Sequence, residues 1–301
     1  MIVTVTVNAA LDRTLTVPVF QIGYRHRSSE VLTLAGGKGI NVARALKALD
    51  VPVVATGLTG GRTGTRIVDE SRTSTAVVDP TAGSYTEINE WGPHVEPDEL
   101  TILLDKIAYL SRGADLVVFA GSLPRGVEDD FYAEAIRDLT RRDVRVVLDS
   151  EGEPLRVGVE AGPFLVSPNQ REAEQLVGQE LEEDEDFLMA LDAIAEMGPR
   201  NVVVTLENGC FALLRFGRKT RRFRAFVPRV EPRSALGSGD VLLAQFLASV
   251  LEERSPDHAV RLAVAAGSAA VLELGAGRFD PHLAATLAGE VELAELQPAR
   301  S

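Results

Sequence analysis

Residues 115–149 read DLVVFAGSLPRGVEDDFYAEAIRDLTRRDVRVVLD, and this stretch decides the fold class. The apolar run over 115–120 predicts a buried strand, and the spacing of apolar residues over 129–141 predicts a helix. A second apolar run over 144–149 predicts another buried strand. Strands that alternate with helices in this way indicate a parallel sheet that is covered by helices.

The same alternation continues on both sides of this stretch. Further strands are predicted over 2–7, 51–57, 164–167 and 201–206, with a hairpin over 209–216 and 223–227. Further helices are predicted over 39–49, 100–111, 170–177, 187–197, 240–253 and 258–274. The chain therefore belongs to the α/β class, with a mostly parallel sheet between two layers of helices.

Two stretches do not fit the alternation. Residues 13–34 and 71–89 place β-branched and apolar residues among polar ones without a helical period. Both indicate antiparallel strands. Together they predict a small sheet beside the main domain, in a position to cover a site.

Composition excludes several classes of protein. The chain has 301 residues, 45% of them hydrophobic, and a net charge of −13, which is enough for a large core but is poorly suited to a polyanion. The longest basic run, 218–224, indicates a solvated hairpin, so we expect no nucleic-acid partner. One cysteine, no signal-like N-terminus and no apolar run of about 18 residues favour a cytoplasmic protein without a membrane span.

The strongest local signal is the turn SALGSGD over 234–240, which is followed at once by an apolar helix. Gly237 and Gly239 allow a tight turn that presents backbone amides, and the helix directs its positive end to the same place. Such a turn is suited to charge that develops on a transferred phosphoryl group. Asp240 is either a catalytic carboxylate or only a helix N-cap.

A second glycine-rich turn, GGKGIN over 36–41, opens the helix predicted over 39–49. In open α/β sheets, ligands bind beyond the carboxyl ends of the strands. At that edge Lys38 could reach a phosphate and Asn41 a sugar hydroxyl. The alternative is a turn made of glycine for steric reasons alone.

Three more signals follow predicted strands: Asp12, the turn GSLPRG over 121–126, and Asn169 with Glu172 one helical turn later. The last pair could orient water around Mg²⁺, which prefers oxygen ligands; the alternative is a helix cap with a solvated Glu172. The Walker phosphate loop, the dinucleotide fingerprint after the first strand and the Gly-x-Ser-x-Gly elbow are absent.

The order of these five motifs resembles that of the ribokinase-like (PfkB) carbohydrate kinases, from Met1 to about Ala276. Within that family, the segments NAALD, GGKGINVARAL, TEINEWGP and GSLPRG resemble the 1-phosphofructokinase and tagatose-6-phosphate kinase branch. Two departures stand out: Ser167 replaces the usual Lys, and the segment from Gly60 to Arg72 is short. The resemblance implies a three-layer α/β/α domain with a small β-sheet lid and ATP-dependent phosphorylation of a ketohexose phosphate.

The resemblance also implies roles for individual residues. Asp240 would take the proton of the acceptor hydroxyl, while the turn of Gly237, Ser238 and Gly239 would hold the transferring phosphoryl. Mg²⁺ would be oriented through water by Asn169 and Glu172. The residues implied for the sugar phosphate are Asp12, Arg27, Gly37, Lys38, Asn41 and Arg72. Those implied for ATP are Asn169, Thr205, Gly209, Gly237, Gly239 and Ala266.

The implied domains are a main domain of residues 1–12, 35–70 and 97–301 and a lid of residues 13–34 and 71–96, through which two copies would pair as a homodimer. The favoured substrate is D-fructose 1-phosphate; tagatose 6-phosphate and fructose 6-phosphate stay open. A protein of another class, a sugar-phosphate sensor that kept the fold without catalysis, also stays open.

Overall fold

The computed structural model describes residues 1–60, 70–227 and 234–298, so most of the short segment between Gly60 and Arg72 lies outside the described residues. The strands of the large sheet are β1 (Ile2–Thr6), β4 (Val53–Gly57), β7 (Leu116–Ala120), β8 (Arg145–Asp149), β9 (Leu165–Val166), β10 (Asn201–Leu206), β11 (Gly209–Phe216), β12 (Lys219–Phe226) and β13 (Glu292–Leu296). The strands of a second sheet are β2 (Ala10–Thr16), β3 (Glu30–Gly36), β5 (Arg72–Asp79) and β6 (Ser84–Asn89). The helices are α1 (Lys38–Ala48), α2 (Pro97–Ser111), α3 (Phe131–Thr140), α4 (Gly152–Val159), α5 (Gln170–Val177), α6 (Asp184–Met197), α7 (Ser238–Leu251), α8 (Pro256–Ala270) and α9 (Pro281–Leu287).

The large sheet has nine strands in the order β13-β12-β11-β10-β9-β8-β7-β1-β4. The six strands from β10 to β4 pair in parallel, and the three at the other edge pair antiparallel. One apolar core lies between this sheet and α1, α7, α8 and α9, while a second lies between the other face and α2, α3, α5 and α6. The predicted α/β class with a three-layer main domain is thereby confirmed.

The βαβ stretch that predicts the fold is built as expected. All five residues of β7 and four of the five of β8 are buried, and α3 between them buries Phe131, Tyr132 and Ile136 against the sheet. The sequence analysis did not predict α4, α9 or β13. None of the described helices is both long and apolar enough to cross a lipid bilayer.

The small sheet exists, but the prediction of antiparallel strands throughout is wrong. Its order is β3-β2-β5-β6, and the central pair, β2 with β5, is parallel, while the two outer pairs are antiparallel. Between β3 and β5 the chain passes through α1 and β4 of the main domain. It re-enters the small sheet at the end where β3 finishes, which is also the end where β2 begins, so β5 runs parallel to β2.

Candidate active site

A cleft of about 1130 Å³ lies beyond the carboxyl ends of the parallel strands, between the large sheet and one face of the small sheet. Strands of a parallel sheet end at one edge, so turns that are far apart in sequence meet there. The predicted residues that line this cleft are Asp12, Gly37, Lys38, Asn41, Arg72, Asn169, Glu172, Thr205, Gly209, Gly237, Ser238, Gly239 and Asp240.

Asp240 lies in the first turn of α7, but it is not the cap of that helix. The N-cap position is Gly237, whose left-handed backbone (φ 74°, ψ 12°) requires glycine and carries no side-chain cap. The first amides of a helix have no carbonyl partner within it. The amide of Ser238 donates to the carbonyl of Ala235 at 3.3 Å, so those of Gly239 and Asp240 are the ones available to an anion in the cleft. The turn and the helix therefore present free amides to the cleft, which is the arrangement that the predicted anion hole requires.

The Asp240 carboxylate is 6% exposed and is held in a defined direction, because its Oδ2 accepts a hydrogen bond from Asn41 Nδ2 at 2.9 Å. Burial and the nearby carboxylate of Asp149 raise the pKa of Asp240 to about 7, although Lys38 and the Asn41 hydrogen bond act in the opposite direction. A carboxylate with such a pKa is a stronger base than an ordinary aspartate and is partly ionised at neutral pH.

Lys38 lies between carboxylates on the same side of the cleft. Its Nζ is 2.9 Å from Asp149 Oδ1 and 3.6 Å from Glu172 Oε1, and both acidic side chains are more than nine-tenths buried. Burial alone would lower the pKa of Lys38, but these two carboxylates and Asp240 together raise it above its usual value. Lys38 therefore stays charged and neutralises a buried acidic cluster.

Asn169 and Glu172 form a capping box at the start of α5. Asn169 Oδ1 accepts from the backbone amide of Glu172 at 2.9 Å, and Glu172 Oε2 accepts from the amide of Asn169 at 2.8 Å. The interpretation of this pair as a helix cap is confirmed, but the expectation of a solvated Glu172 is not, because Glu172 is only 7% exposed. Its Oε1 remains directed to Lys38, so one oxygen of each carboxylate in the Asp149 and Glu172 pair faces the same cation.

This donor set fits a magnesium ion that keeps most of its waters. Mg²⁺ is commonly bound by one or two carboxylates together with substrate phosphates. Within the described ranges no group of three acidic, histidine or cysteine side chains is arranged to hold a metal by itself. Asp149 and Glu172 supply two carboxylates at the cleft, which suits an ion that arrives with a nucleotide.

Asp12 and Arg72 lie on the small sheet and face the cleft. A Cβ on Gly36 would lie 1.9 Å from Asp12 Cγ, so glycine at this position lets the carboxylate rest on the turn before α1. Burial raises the pKa of Asp12, while Arg72 lowers it. Arg72 is held by Asn89 Oδ1 at 3.1 Å and by the carbonyl of Asn8 at 3.4 Å.

Two predicted residues do not reach the cleft. Ala266 is fully buried in the core, and Val264, Gly267 and Ser268 line the cleft in its place, because positions three and four apart share a helix face and Ala266 lies on another face. Arg27 is exposed on the connection between β2 and β3. This connection joins β2 and β3 at the Thr16 and Glu30 end of the strands, opposite the Ala10 and Gly36 end, and Arg27 is not among the residues that line the cleft.

Several cleft residues were missed by the sequence analysis. Asp149 is the last residue of β8, and its position at the carboxyl end of a buried strand is the signal that could have found it. Asn8 also lines the cleft, and its Nδ2 donates at 3.1 Å to Oγ of Ser122, which belongs to the turn over 121–126 that the sequence analysis did identify. The Oδ1 of Asn8 is buried and has no hydrogen-bond partner among the described residues.

A buried carboxylate that faces the free amides of a helix N-terminus, on a doubly covered parallel sheet, is suited to a phosphotransferase that acts on a hydroxyl. Residues 6–283 match the sequence profile described as pfkB family carbohydrate kinase. The chain belongs to the pfkB family of carbohydrate kinases.

Individual relatives agree with this assignment. A 1-phosphofructokinase of Bacillus subtilis is 35% identical over 298 residues, which cover 94% of this chain and 97% of that protein. A 1-phosphofructokinase of Borreliella burgdorferi is 29% identical over 91% of this chain and 92% of its own length. Phosphofructokinase-2 from Escherichia coli, solved in complex with substrates and products, superposes with a TM-score of 0.86 at 28% identity and covers 96% of this chain and 98% of its own. The same enzyme has also been solved as a tetrameric inhibited form.

Proposed function

We propose that this chain transfers the γ-phosphoryl group of ATP to D-fructose 1-phosphate, which gives fructose 1,6-bisphosphate and ADP. The observation that carries the proposal is the position of Asp240, a buried carboxylate directed by Asn41 at the entrance of an anion hole. The names of the two curated relatives favour this acceptor over other sugar phosphates. The cytoplasm, which supplies ATP and keeps a lone cysteine reduced, is the proposed location.

In the proposed reaction, Asp240 takes the proton of the acceptor hydroxyl as the oxygen attacks the γ-phosphorus. The bond between the γ-phosphorus and its bridging oxygen breaks, and ADP leaves. The amides of Gly239 and Asp240 stabilise the charge on the transferring group. Positioning and electrostatic stabilisation are the main demands of phosphoryl transfer, and the cleft supplies both.

The two ends of the cleft would hold the two substrates. Asp12, Gly37 and Asn41 lie near Asp240 and would bind sugar hydroxyls, while Arg72 on the small sheet would bind the phosphate that the sugar already carries. Thr205, Gly209 and the α8 face at Gly267 would border the nucleotide. The sequence assigned Mg²⁺ to Asn169 and Glu172, but Asn169 Oδ1 is engaged in the cap of α5, so Asp149 takes its place in the proposal. Asp149 and Glu172 would hold Mg²⁺ through water, and the ion would neutralise the nucleotide phosphates.

Side-by-side kinetics test the substrate. We expect kcat/KM to be highest for fructose 1-phosphate when it is compared with fructose 6-phosphate and tagatose 6-phosphate in an assay coupled to ADP release. A clear preference for fructose 6-phosphate would instead place this chain with its structural relative phosphofructokinase-2, and a preference for tagatose 6-phosphate would support the other branch.

The variant Asp240→Asn tests the chemistry and the sensor alternative together. We expect kcat to fall by about 10²–10⁴-fold, the scale for the loss of a positioned base, while the thermal unfolding transition is retained. A sensor does not need a buried carboxylate at an anion hole. Turnover in the variant close to that of the natural chain would reject Asp240 as the base, and no turnover in either protein would favour the sensor.

We further propose that the small sheet acts as a lid and pairs with a second copy. Alternation along its strands turns Asp12, Ser74 and Glu87 to the cleft, so the opposite face carries Leu15, Val31, Val77 and Ile88. Val31 and Ile88 are 50% and 61% exposed. An apolar sheet face of this kind is suited to a self-complementary interface.

Sedimentation measurements test the lid interface. We expect the natural chain to be a dimer and the double variant Val31→Glu/Ile88→Lys to be a monomer, because charges would be buried without partners. Ile102→Glu is the matched control, since Ile102 is 57% exposed on α2 and lies outside the small sheet. A dimer that survives the double variant would reject the lid as the interface.

A further inference from the structure

Arg44, on α1, connects three segments of the chain behind the cleft. Its Nη1 donates to Asn41 Oδ1 at 2.9 Å and to the carbonyl of Ala276 at 2.6 Å, and its Nη2 donates to the carbonyl of Ala35. Arg44 is not among the residues that line the cleft. Its planar guanidinium offers several donors in fixed directions, so one side chain can serve acceptors on all three segments.

The first of these contacts determines which way the Asn41 amide points. A guanidinium only donates, so the Asn41 atom that faces Arg44 must be the oxygen. The Nδ2 group then faces Asp240, and it donates to Oδ2 at 2.9 Å. An ionised Asp240 selects the same orientation, because it only accepts, but a protonated Asp240 can donate to the amide oxygen. Without Arg44, the amide would therefore be free to turn by half a rotation whenever Asp240 is protonated.

The second contact holds the loop that supports the anion hole. A Cβ on Gly237 would lie 2.7 Å from Ala276 Cβ, so Ala276 packs directly on the residue that precedes α7. A Cβ on Gly277 would lie 2.5 Å from the carbonyl oxygen of Asn41. The loop that Arg44 binds therefore fills the space between Asn41 and the Gly237 turn.

The third contact reaches the end of β3. Ala35 precedes Gly36, the glycine on which the Asp12 carboxylate rests. The positive charge of Arg44 also helps to lower the pKa of Asp12, although burial is the larger effect and raises it. Arg44 thus connects the end of β3, near Asp12, with Asn41 beside Asp240 and with the Ala276 loop beside the Gly237 turn.

We propose that Arg44 is a positioning residue for phosphoryl transfer, which orients the Asn41 amide towards Asp240 and fixes the Ala276 loop against Gly237. It acts through these neighbours and touches neither substrate. The inference rests on the proposed role of Asp240 as the base. A displacement of about 1 Å at a reacting group can cost about 10²-fold in rate, so this indirect role has a measurable effect.

The test compares Arg44→Ala and Arg44→Lys with Arg261→Lys as the matched control. Arg261 also donates to two backbone carbonyls, those of Ala288 and Val291, but it lies outside the residues that line the cleft. We expect kcat to fall about 10²-fold in Arg44→Ala. In Arg44→Lys we expect a fall of about tenfold, because lysine keeps the positive charge but lacks the planar set of guanidinium donors. The KM for ATP of the two Arg44 variants should change less than about threefold. The kcat of the control variant Arg261→Lys should also change less than about threefold.

Two readouts separate positioning from a purely structural role. Millimolar guanidinium should restore part of the kcat of Arg44→Ala without changing its melting temperature. The acid limb of the kcat profile should also move to higher pH, because the Asn41 hydrogen bond lowers the pKa of Asp240. The charged groups that act on Asp240 are Asp149, Lys38, Asp12 and Arg44 itself. Arg44→Lys keeps the charge, so a moved acid limb in that variant reports the Asn41 hydrogen bond.

Each outcome decides the inference. The inference is overturned if Arg44→Ala keeps the kcat of the natural chain and its acid limb does not move. If the alanine variant does not fold, the same result in Arg44→Lys overturns the inference. A fall in kcat that merely follows a lower melting temperature and is not rescued by guanidinium would also overturn it. Normal turnover in Asp240→Asn would instead show that the proposed function has failed, independently of Arg44.

Discussion

The variant Lys38→Met separates two roles for a residue that the sequence assigns to the substrate phosphate. In the structure Lys38 Nζ lies 2.9 Å from Asp149 and 3.6 Å from Glu172, in a cluster where both carboxylates are buried. Methionine has a similar length but no charge. The variant would therefore leave two buried carboxylates beside Asp240 without their cation.

The expected loss in the free energy of unfolding follows from the burial of the two carboxylates that Lys38 neutralises. Removal of one partner from a buried ion pair destabilises a protein by about 3–5 kcal/mol. The Lys38 side chain is 33% exposed, so water screens part of its charge, and we expect a loss of about 2 kcal/mol. The entropy of unfolding is about 2.1 cal/mol/K per residue, so for a chain of 301 residues that loss corresponds to a melting temperature lowered by about 3 °C.

The pH dependence of this loss has a definite sign. Burial raises the pKa of Glu172 in the folded chain and Lys38 lowers it, so the variant should raise that pKa further. A carboxyl group whose folded pKa exceeds its unfolded value binds more protons in the folded state, and stability then falls as the pH rises between the two values. The deficit of the variant should be small at acid pH, where Glu172 is protonated, and should widen as the pH rises towards 8.

Thermal unfolding between pH 5 and 8, with and without Mg²⁺, provides the assay. Mg²⁺ should restore the melting temperature of Lys38→Met more than that of the natural chain, because it replaces the missing charge. Lys47→Met, an exposed position on the same helix, is the control. If Lys38→Met unfolds like this control at every pH while KM for the sugar phosphate rises at least tenfold, Lys38 serves the substrate alone and the neutralisation role is refuted.

Two other measurements test the site directly. The kcat profile of the natural chain should lose activity below an apparent pKa of about 7, because a protonated Asp240 cannot accept the hydroxyl proton; full activity at pH 5 would contradict this. Gly237→Ala should lower kcat at least tenfold, because its Cβ would lie 2.7 Å from Ala276, whereas Gly217→Ala has a similar positive φ, meets no atom within 4 Å and should retain its activity. Equal kcat in the two glycine variants would show that the Gly237 turn does not need its close contact.

The large sheet could be predicted from the sequence because its strands are short apolar runs and its helices keep a clear apolar period. The elements that were missed lack those signals. Helix α4 has two glycines and a proline in eight residues, and β13 (ELAEL) is a partly exposed edge strand without β-branched side chains. The parallel pairing of β2 with β5 could not be predicted, because it depends on the route of the chain through the main domain.

The candidate site could be predicted where glycine turns follow strands, since backbone geometry leaves a local signature there. Contacts between distant side chains leave none. Lys38 and Asp149 are 111 positions apart, and Arg44 and Ala276 are 232 apart, so only the folded chain shows that each pair meets. From the sequence alone, the substrate phosphate is a plausible partner for Lys38. Only the structure shows that Lys38 already lies beside two buried carboxylates.

The charges that line the cleft indicate how an acidic protein can bind two phosphorylated substrates. The lining contains nine carboxylates and four lysine or arginine side chains, so the cleft itself is not a basic pocket. Net charge cannot then be the source of phosphate affinity. The attraction must come from groups at defined points: the free amides of α7, Arg72 on the small sheet and the divalent cation proposed at Asp149 and Glu172. If the proposed cation is present, it would offset the repulsion between these carboxylates and the nucleotide phosphates, and nucleotide affinity should then depend on the metal ion.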